Sequence, residues 1–267
     1  MLFWCTTILI IDLFFQVYYN LSVMKEKRYY FNGDLAENST VCLEGEEFHH
    51  LTNVMRTRVG EKVCLFNGDG NFYFAEVLQI NKKNADIKIE RVEISENEPK
   101  INLTVYQALA KGDKMSLVMQ KITEIGASTM RLFESTFCDV KGNTHKQDRL
   151  ESISISAAKQ CGRASIVNTE GVFTVKQMAE QIKEFDAFFV AYENEDGHTL
   201  VDSLSKLSNN YKTIAIVIGA EGGFSDKEIE LLKNNGADIV SLGKRILRTE
   251  TASIVTAGLI MQIMEEK

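Results

Sequence analysis

The stretch Ile216–Ser225 reads IVIGAEGGFS, an apolar run that stops at a glycine-rich turn carrying one carboxylate. Further along, Leu242–Ala252 reads LGKRILRTETA, where a second apolar run is followed by dense charge. In open parallel sheets, ligands bind at the carboxyl ends of the strands. Two polar loops that each follow an apolar run therefore predict one shared site at that edge of a sheet.

The chain after Pro99 alternates apolar strand patterns with amphipathic helix patterns. We predict strands at residues 103–110, 130–133, 187–192, 213–218 and 237–242. We predict helices at residues 114–125, 146–160, 175–185, 226–234 and 250–264. This alternation is typical of an α/β domain whose parallel sheet is covered on both faces.

The chain before Pro99 reads mostly as short strands, at residues 28–31, 40–43, 62–66, 72–78 and 86–90, with one helix at 46–57. Polar turns between the last three strands indicate a meander, and so a small β-barrel. Pro99 lies in the polar run SENEPK, which has little to bury. We therefore place a boundary there, with one domain at 24–97 and another at 98–267.

Composition limits the function classes. The 267 residues carry a net charge of -7, so the protein is no basic coat for nucleic acid, and any polyanion must meet a local basic patch. The five cysteines are widely spaced without a C-x-x-C pair, which argues against zinc or a disulfide framework and favours a reducing cytoplasm. We expect no metal.

The first 23 residues are strongly apolar and contain no Lys or Arg. They lack the basic region and small-residue cleavage site of a signal peptide, and Asp12 lies in the middle of what would be a membrane span. We interpret residues 1–23 as an upstream over-extension of the reading frame, with Met24 as the natural start.

The glycine-rich turn predicts close approach of main chain to a ligand, because Gly219, Gly222 and Gly223 can take left-handed or mirror-β backbone angles. Ser225 and Glu228 have the spacing of a capping box at the next helix. The sequence contains neither the P-loop pattern nor G-x-G-x-x-G, which excludes those two nucleotide-binding motifs.

The second loop groups Lys244, Arg245, Arg248 and Glu250 between apolar segments, and Thr249 is expected to cap the terminal helix. Leu242-Gly243 and Ile246-Leu247 bracket the charges with small or apolar groups, a lining that fits a flat adenine ring and a thioether chain.

Five separated motifs, in order HHLTNVMR, KGDKMSLVMQKITEIG, AAKQCGR, IGAEGGFSDKEI and SLGKRILRTETA, together resemble the RsmE family of ribosomal RNA methyltransferases. The resemblance covers about residues 25–267. It implies a PUA-like RNA-binding barrel followed by a knotted SPOUT (α/β-knot) methyltransferase domain, a homodimer, and S-adenosyl-L-methionine as cofactor. The implied reaction is methylation of N3 of one uridine in 16S rRNA of the small ribosomal subunit.

The resemblance also implies which residues hold the cofactor, mainly through backbone groups: Ile218, Gly219, Glu221, Gly222, Gly223, Leu242, Gly243, Ile246, Leu247, Arg248, Thr249 and Thr251. Two positions depart from the family pattern. Ala220 stands where the family usually has proline, and Ser135–Cys138 reads STFC where the family has Ser-Glu-Arg followed by Ser or Cys.

For catalysis, the weakly acidic imide nitrogen of uracil must lose its proton before it attacks the activated methyl group. Glu250 is a candidate general base. Arg248, or Arg163 of the partner subunit, is a candidate donor to a carbonyl oxygen of the uracil anion. Two structural alternatives stay open: Glu250 in the first turn of a helix also complements the helix dipole, and Arg163 can simply pair with a carboxylate.

RNA binding is expected from localised positive charge. We assign it to Arg28, His49, His50, Arg56 and Arg58 on the barrel, and to Lys141, Lys146, Lys159 and Arg163 beyond it. About four to six phosphate contacts give adequate electrostatic binding despite the net acidity.

Two alternatives stay open. One is another knotted methyltransferase, acting on a ribose 2′-oxygen or on tRNA. The other is a non-catalytic RNA-binding protein with a vestigial pocket. Cofactor binding separates the second alternative from the first.

Overall fold

The computed structural model describes residues 27–140 and 146–267. The chain divides into two compact units, Met1–Glu96 and Asn97–Lys267. The interpretation of residues 1–23, and the RNA contacts expected from the side chains of Lys141 and Lys146, lie outside what is described. No helix within the described ranges combines the length and apolar character needed to cross a bilayer.

The first unit is built on a curved five-stranded sheet. Its strands are β1 (Lys27–Tyr30), β2 (Thr40–Glu44), β3 (Lys62–Phe66), β4 (Asn71–Ile80) and β5 (Asn84–Ile94), in the order β1-β3-β4-β5-β2. The antiparallel pairs β3–β4 and β4–β5 confirm the predicted meander. Register shifts along β4 bend the sheet so that it wraps around a core that includes Tyr29, Leu51 and Ile87.

The helix of this unit is shorter than predicted. Helix α1 (Gly45–His49) runs into a π-helical turn, His50–Val54, and Arg56 then adopts a left-handed φ of 49°. The Thr52 hydroxyl donates to the Phe48 carbonyl oxygen at 2.9 Å. A left-handed residue cannot continue a right-handed helix, so the predicted continuation to residue 57 is wrong.

The second unit contains a six-stranded sheet in which every neighbouring pair is parallel. Its strands are β6 (Asn102–Ala108), β7 (Thr129–Glu134), β8 (Asn168–Thr174), β9 (Ala187–Ala191), β10 (Thr213–Ile218) and β11 (Asp238–Val240). Its α-helices are α2 (Lys114–Ile125), α3 (Lys146–Cys161), α4 (Val175–Gln181), α5 (Leu200–Lys206), α6 (Asp226–Asn234) and α7 (Thr249–Glu265), with a 3-10 turn at Ile182–Glu184.

Alternation along β10 shows why both faces of the sheet are covered. Ile214, Ile216 and Ile218 belong to one core, which α2, α3, α5 and α7 complete. Ala215 and Val217 belong to a second core on the opposite face, to which α4 and α6 contribute. The prediction of a doubly covered parallel sheet is confirmed.

Two elements of the second unit, strand β8 and helix α5, were not predicted. Edge strand β8 reads NTEGVFT, too polar to stand out as an apolar run, and α5 is only seven residues long. The sheet order is β11-β9-β10-β6-β7-β8, so β9 lies between the two strands that carry the polar loops. The two loop-bearing strands, β10 and β11, are therefore separated by one strand.

Candidate active site

The glycine loop, defined as residues 219–225 between β10 and α6, is a tight turn closed by the Gly223 amide donating to the Ala220 carbonyl oxygen at 2.9 Å. Of its three glycines, Gly223 alone has a left-handed φ, 66°. Gly219 and Gly222 do not use the conformational freedom of glycine, and a different physical reason applies to those two.

Gly219 and Gly222 are needed because other groups lie too close for a side chain. A Cβ at Gly222 would lie 2.7 Å from the Cβ and 2.8 Å from the carbonyl oxygen of Phe137. At Gly219 it would lie 2.9 Å from the Phe224 ring, which stacks on Phe133 with centroids 6.0 Å apart. Residues 135–138, where this chain departs from the family pattern, thus pack directly on the glycine loop.

The loop is also fixed at its exit. The Glu228 carboxylate accepts from the Ser225 amide at 2.8 Å, completing the predicted capping box at the start of α6. Its other oxygen accepts from the Thr136 amide at 2.8 Å. Glu228 therefore joins the glycine loop to residues 135–138.

The charged loop, defined as residues 241–248, leads into α7 and meets the glycine loop at Thr249. The Thr249 hydroxyl donates to the Gly219 carbonyl oxygen at 2.7 Å and accepts from the buried Gln107 amide at 2.9 Å. Gln107 also accepts from the Ser253 hydroxyl. Thr249 is the first residue of α7 and Arg248 occupies the N-cap position, so the expectation that Thr249 caps the helix is wrong.

The charged loop exposes its three basic side chains and one apolar side chain to solvent. Leu242 and Leu247 pack partly against the core, whereas Ile246 is 87% exposed. Gly243 has a φ of 101°, and a Cβ there would meet nothing within 4 Å. Thr251 is exposed one residue further into α7 than Glu250, and Ile218 is buried at the end of β10.

Three charged side chains connect the two loops. Lys114, the first residue of α2, hydrogen-bonds to Glu221 of the glycine loop, and its Nζ lies 3.9 Å from Glu250 Oε2 in the first turn of α7. The hydrogen bond from Lys114 holds the pKa of Glu221 below its usual value. Glu250 Oε2 is buried and has no hydrogen-bond partner among the described residues.

Arg248 is exposed and lies two residues before Glu250 in the chain. The N-terminus of α7 therefore carries one side chain that can donate hydrogen bonds and one that can accept them. Both belong to the set that the sequence predicted as catalytic.

Arg163 is placed elsewhere, which corrects its expected role. It is 5% exposed, and its guanidinium donates to Glu98 Oε2 and to the Thr123 and Ala127 carbonyl oxygens at 2.9–3.1 Å. Because Arg163 is enclosed by its own chain, its ion pair with Glu98 has a structural role. This side chain is unsuited to reach a uracil as Arg163 of the partner subunit, or to contact RNA.

Of the other basic residues predicted to bind RNA, those that the structure describes are exposed or half-buried. His49, Arg56 and Arg58 are exposed on the barrel. Arg28 lies over the Phe72 ring at 5.4 Å, and His50 packs edge-on against Tyr29 at 5.6 Å between centroids. In the second unit, Lys159 is half-buried on α3. The described residues contain no group of three or more potential metal ligands.

Two residues of the site were missed by the sequence argument. Gln107 interrupts the apolar strand VYQALA, and a lone amide in a buried strand is a signal that such a side chain has buried partners. Lys114 gives no such signal, since lysine in a surface helix is ordinary.

Residues 96–261 match the model of the RNA methyltransferase domain family, and residues 43–90 match the RNA methyltransferase PUA domain. Together with the parallel sheet and the two joined loops at its edge, these matches define the class: a knotted, SPOUT-type RNA methyltransferase with a PUA-like barrel.

Similar proteins narrow the class. The ribosomal RNA small subunit methyltransferase E of Rickettsia conorii is 30% identical over 233 residues, covering 86% of this chain and 93% of that protein. The enzyme of the same name from Neisseria gonorrhoeae, solved bound to S-adenosyl methionine, has a TM-score of 0.81 at 27% identity, covering 89% of this chain and 98% of that one. A putative methyltransferase from Legionella pneumophila, in complex with the cofactor SAM, has a TM-score of 0.80 at 30% identity with the same coverage.

The chain belongs to the ribosomal RNA small subunit methyltransferase E family. The resemblance to RsmE seen in the sequence motifs is confirmed.

Proposed function

We propose that this protein is an S-adenosyl-L-methionine-dependent methyltransferase that modifies 16S rRNA of the small ribosomal subunit at N3 of one uridine. The observation that carries the proposal is the junction of the two strand-end loops, where Thr249 bonds to Gly219 and Lys114 lies between Glu221 and Glu250.

The residues present fit the cofactor. The glycine loop brings bare backbone to the edge of the sheet, and the space beside Gly243 is open. Glu250 contributes a buried oxygen without a donor. We assign adenosyl binding to residues 218–223 and 242–251, mainly through main-chain groups. When bound, S-adenosyl-L-methionine supplies a methyl group already activated on a sulfonium.

The protein's own task is then orientation and the handling of one proton. The imide N–H of uracil carries a proton that must leave before its nitrogen can accept a methyl group. The unpartnered Oε2 of Glu250 is suited to accept that proton as general base. The exposed Arg248 guanidinium is suited to donate to a uracil carbonyl oxygen, where negative charge develops.

Substrate binding is assigned to the barrel. We propose that residues 24–97 form the RNA-binding domain, using Arg28, His49, His50, Arg56 and Arg58, and that residues 98–267 form the methyltransferase domain. The enzyme acts in the cytoplasm and as a homodimer. Light scattering of the purified protein measures its oligomeric state.

The deciding experiment is mass spectrometry of 16S rRNA from a strain lacking the gene, complemented with wild type or with Glu250→Gln. Only wild type is expected to restore one methyl group on one uridine, and nucleoside digestion should place it on the base. A methyl group on a ribose, or on tRNA, would support the alternative knotted methyltransferase. Unchanged rRNA, with no heat on titration of cofactor, would support a non-catalytic RNA-binding protein.

A further inference from the structure

Lys114 occupies a position that local helix energetics do not favour. It is the first residue of α2, and the first turn of that helix contains no acidic residue. The dipole of a helix disfavours a cation at its N-terminus. The two carboxylates that face Lys114 come from other elements: Glu221 from the glycine loop and Glu250 from α7.

The contacts that Lys114 makes to these two carboxylates differ in kind. Its ammonium hydrogen-bonds to Glu221, which is 44% exposed. Glu250 is 14% exposed, and the 3.9 Å between Lys114 Nζ and Glu250 Oε2 is within ion-pair range but too long for a hydrogen bond. Lys114 therefore attracts the Glu250 carboxylate without occupying the lone pairs of Oε2.

This arrangement is what a proton acceptor requires. A buried carboxylate oxygen without a donor is unfavourable, because desolvation penalises the charge. A nearby cation offsets that penalty, and the open lone pairs stay available to a ligand. The Glu221 hydrogen bond fixes the ammonium group, since it anchors a flexible side chain at one end of the site.

We infer that Lys114 is a positioning residue for methyl transfer, which orients the Glu250 carboxylate toward the substrate while Glu221 anchors the lysine. The inference rests on the proposed function, in which Glu250 accepts the uracil proton. It assigns to the N-terminus of α2 a role in catalysis in addition to its place in the fold.

The test is single-turnover methyl transfer from labelled S-adenosyl-L-methionine to small subunits purified from the deletion strain. The full-length variants are Lys114→Met, Lys114→Arg, Glu250→Gln and the double variant Lys114→Met with Glu250→Gln. Lys121→Met is the matched control, because Lys121 lies on the same helix and pairs only locally, with Glu124. Calorimetry with the cofactor, and thermal melts, accompany each variant.

Lys114→Met is expected to slow transfer by about tenfold or more, because the Glu250 carboxylate is no longer oriented and a misplacement of about 1 Å can cost about 100-fold in rate. Cofactor affinity should stay within about threefold of wild type. Lys114→Arg should recover most of the rate because the positive charge remains. Lys121→Met should behave as wild type.

The double variant separates positioning from general support of the fold. If Lys114 acts through Glu250, the double variant should be no slower than Glu250→Gln alone, because the two residues share one function. If the rate losses of the two single variants multiply in the double variant, the inference is overturned. It is also overturned if Lys114→Met transfers methyl groups at the wild-type rate, or if its main defect is in cofactor binding. An inactive wild type would instead overturn the proposed function itself.

Discussion

Replacing Gly222 with alanine tests whether the glycine loop is shaped by close packing. The new Cβ would lie 2.7 Å from Phe137 Cβ and 2.8 Å from its carbonyl oxygen, distances that real contacts do not show. Both atoms belong to or adjoin the backbone, so no rotamer change relieves the contact. Either residues 135–138 or the glycine loop must move by several tenths of an ångström.

The magnitude follows from where that movement can occur. Overpacking a closed core costs about 1–3 kcal/mol. Phe137 is 51% exposed and its loop can yield outward, so we expect the free energy of unfolding to fall by about 1 kcal/mol, at the low end of that range. The displaced loop should weaken cofactor binding by about tenfold, equivalent to about 1.4 kcal/mol.

Urea denaturation gives the stability change and calorimetry gives the cofactor Kd. Gly258→Ala is the control, since Gly258 lies inside α7 with nothing within 4 Å of an added Cβ. That variant should be more stable by about 0.5–1 kcal/mol, because alanine favours a helix, and should bind cofactor normally. If Gly222→Ala keeps both stability and affinity, the packing account of this loop is refuted.

Three further predictions concern stability. Arg163→Met should lower the free energy of unfolding by about 3 kcal/mol, the low end of the range for a broken buried ion pair, because the partly buried Glu98 carboxylate loses its cation. The folded fraction should still transfer methyl groups; loss of transfer at full stability would restore a catalytic role. Gln107→Leu should lower the free energy of unfolding by about 1–3 kcal/mol, because polar groups of α7 lose their buried partner. An unchanged midpoint in urea denaturation would contradict this. Hydrogen bonds from backbone amides, first that of Thr213, lower the pKa of Asp186 below 3.8, so the ionised carboxylate stabilises the fold above that pH and this stabilisation is lost as the pH falls through the folded-state pKa. The difference in free energy of unfolding between wild type and Asp186→Asn should therefore shrink in urea denaturation below pH 3.8. A difference that stays constant with pH would refute this cause.

Local sequence patterns predicted much of the fold. Helices Lys114–Ile125 and Asp226–Asn234 and strand Thr213–Ile218 begin and end at the predicted residues. In these segments the apolar period, the capping box and the closing Gly126 all act over a few residues, so the sequence contains the whole signal. Strand β8 was missed because an edge strand needs little apolar surface.

The candidate site was predicted in outline only. Clustering of the glycine and charged loops followed from the rule for parallel strand ends, and the contact between Thr249 and Gly219 brings them together. The place of Arg163 was not predictable, because its partners Glu98, Thr123 and Ala127 form a pocket that no sequence period describes.

The sequence by itself determined which segments become strands and helices, which two loops carry the polar groups, and the family. Tertiary structure alone decided that β9 separates the two loop-bearing strands, that Gln107 reaches Thr249 across 142 positions, and that Lys114 meets Glu221 across 107. The physical reason is the range of the interactions. Helix propensity and capping act between residues that are near in sequence. The Lys114 ion pair forms between residues that are distant in sequence, and only after the sheet has brought distant strand ends to one edge.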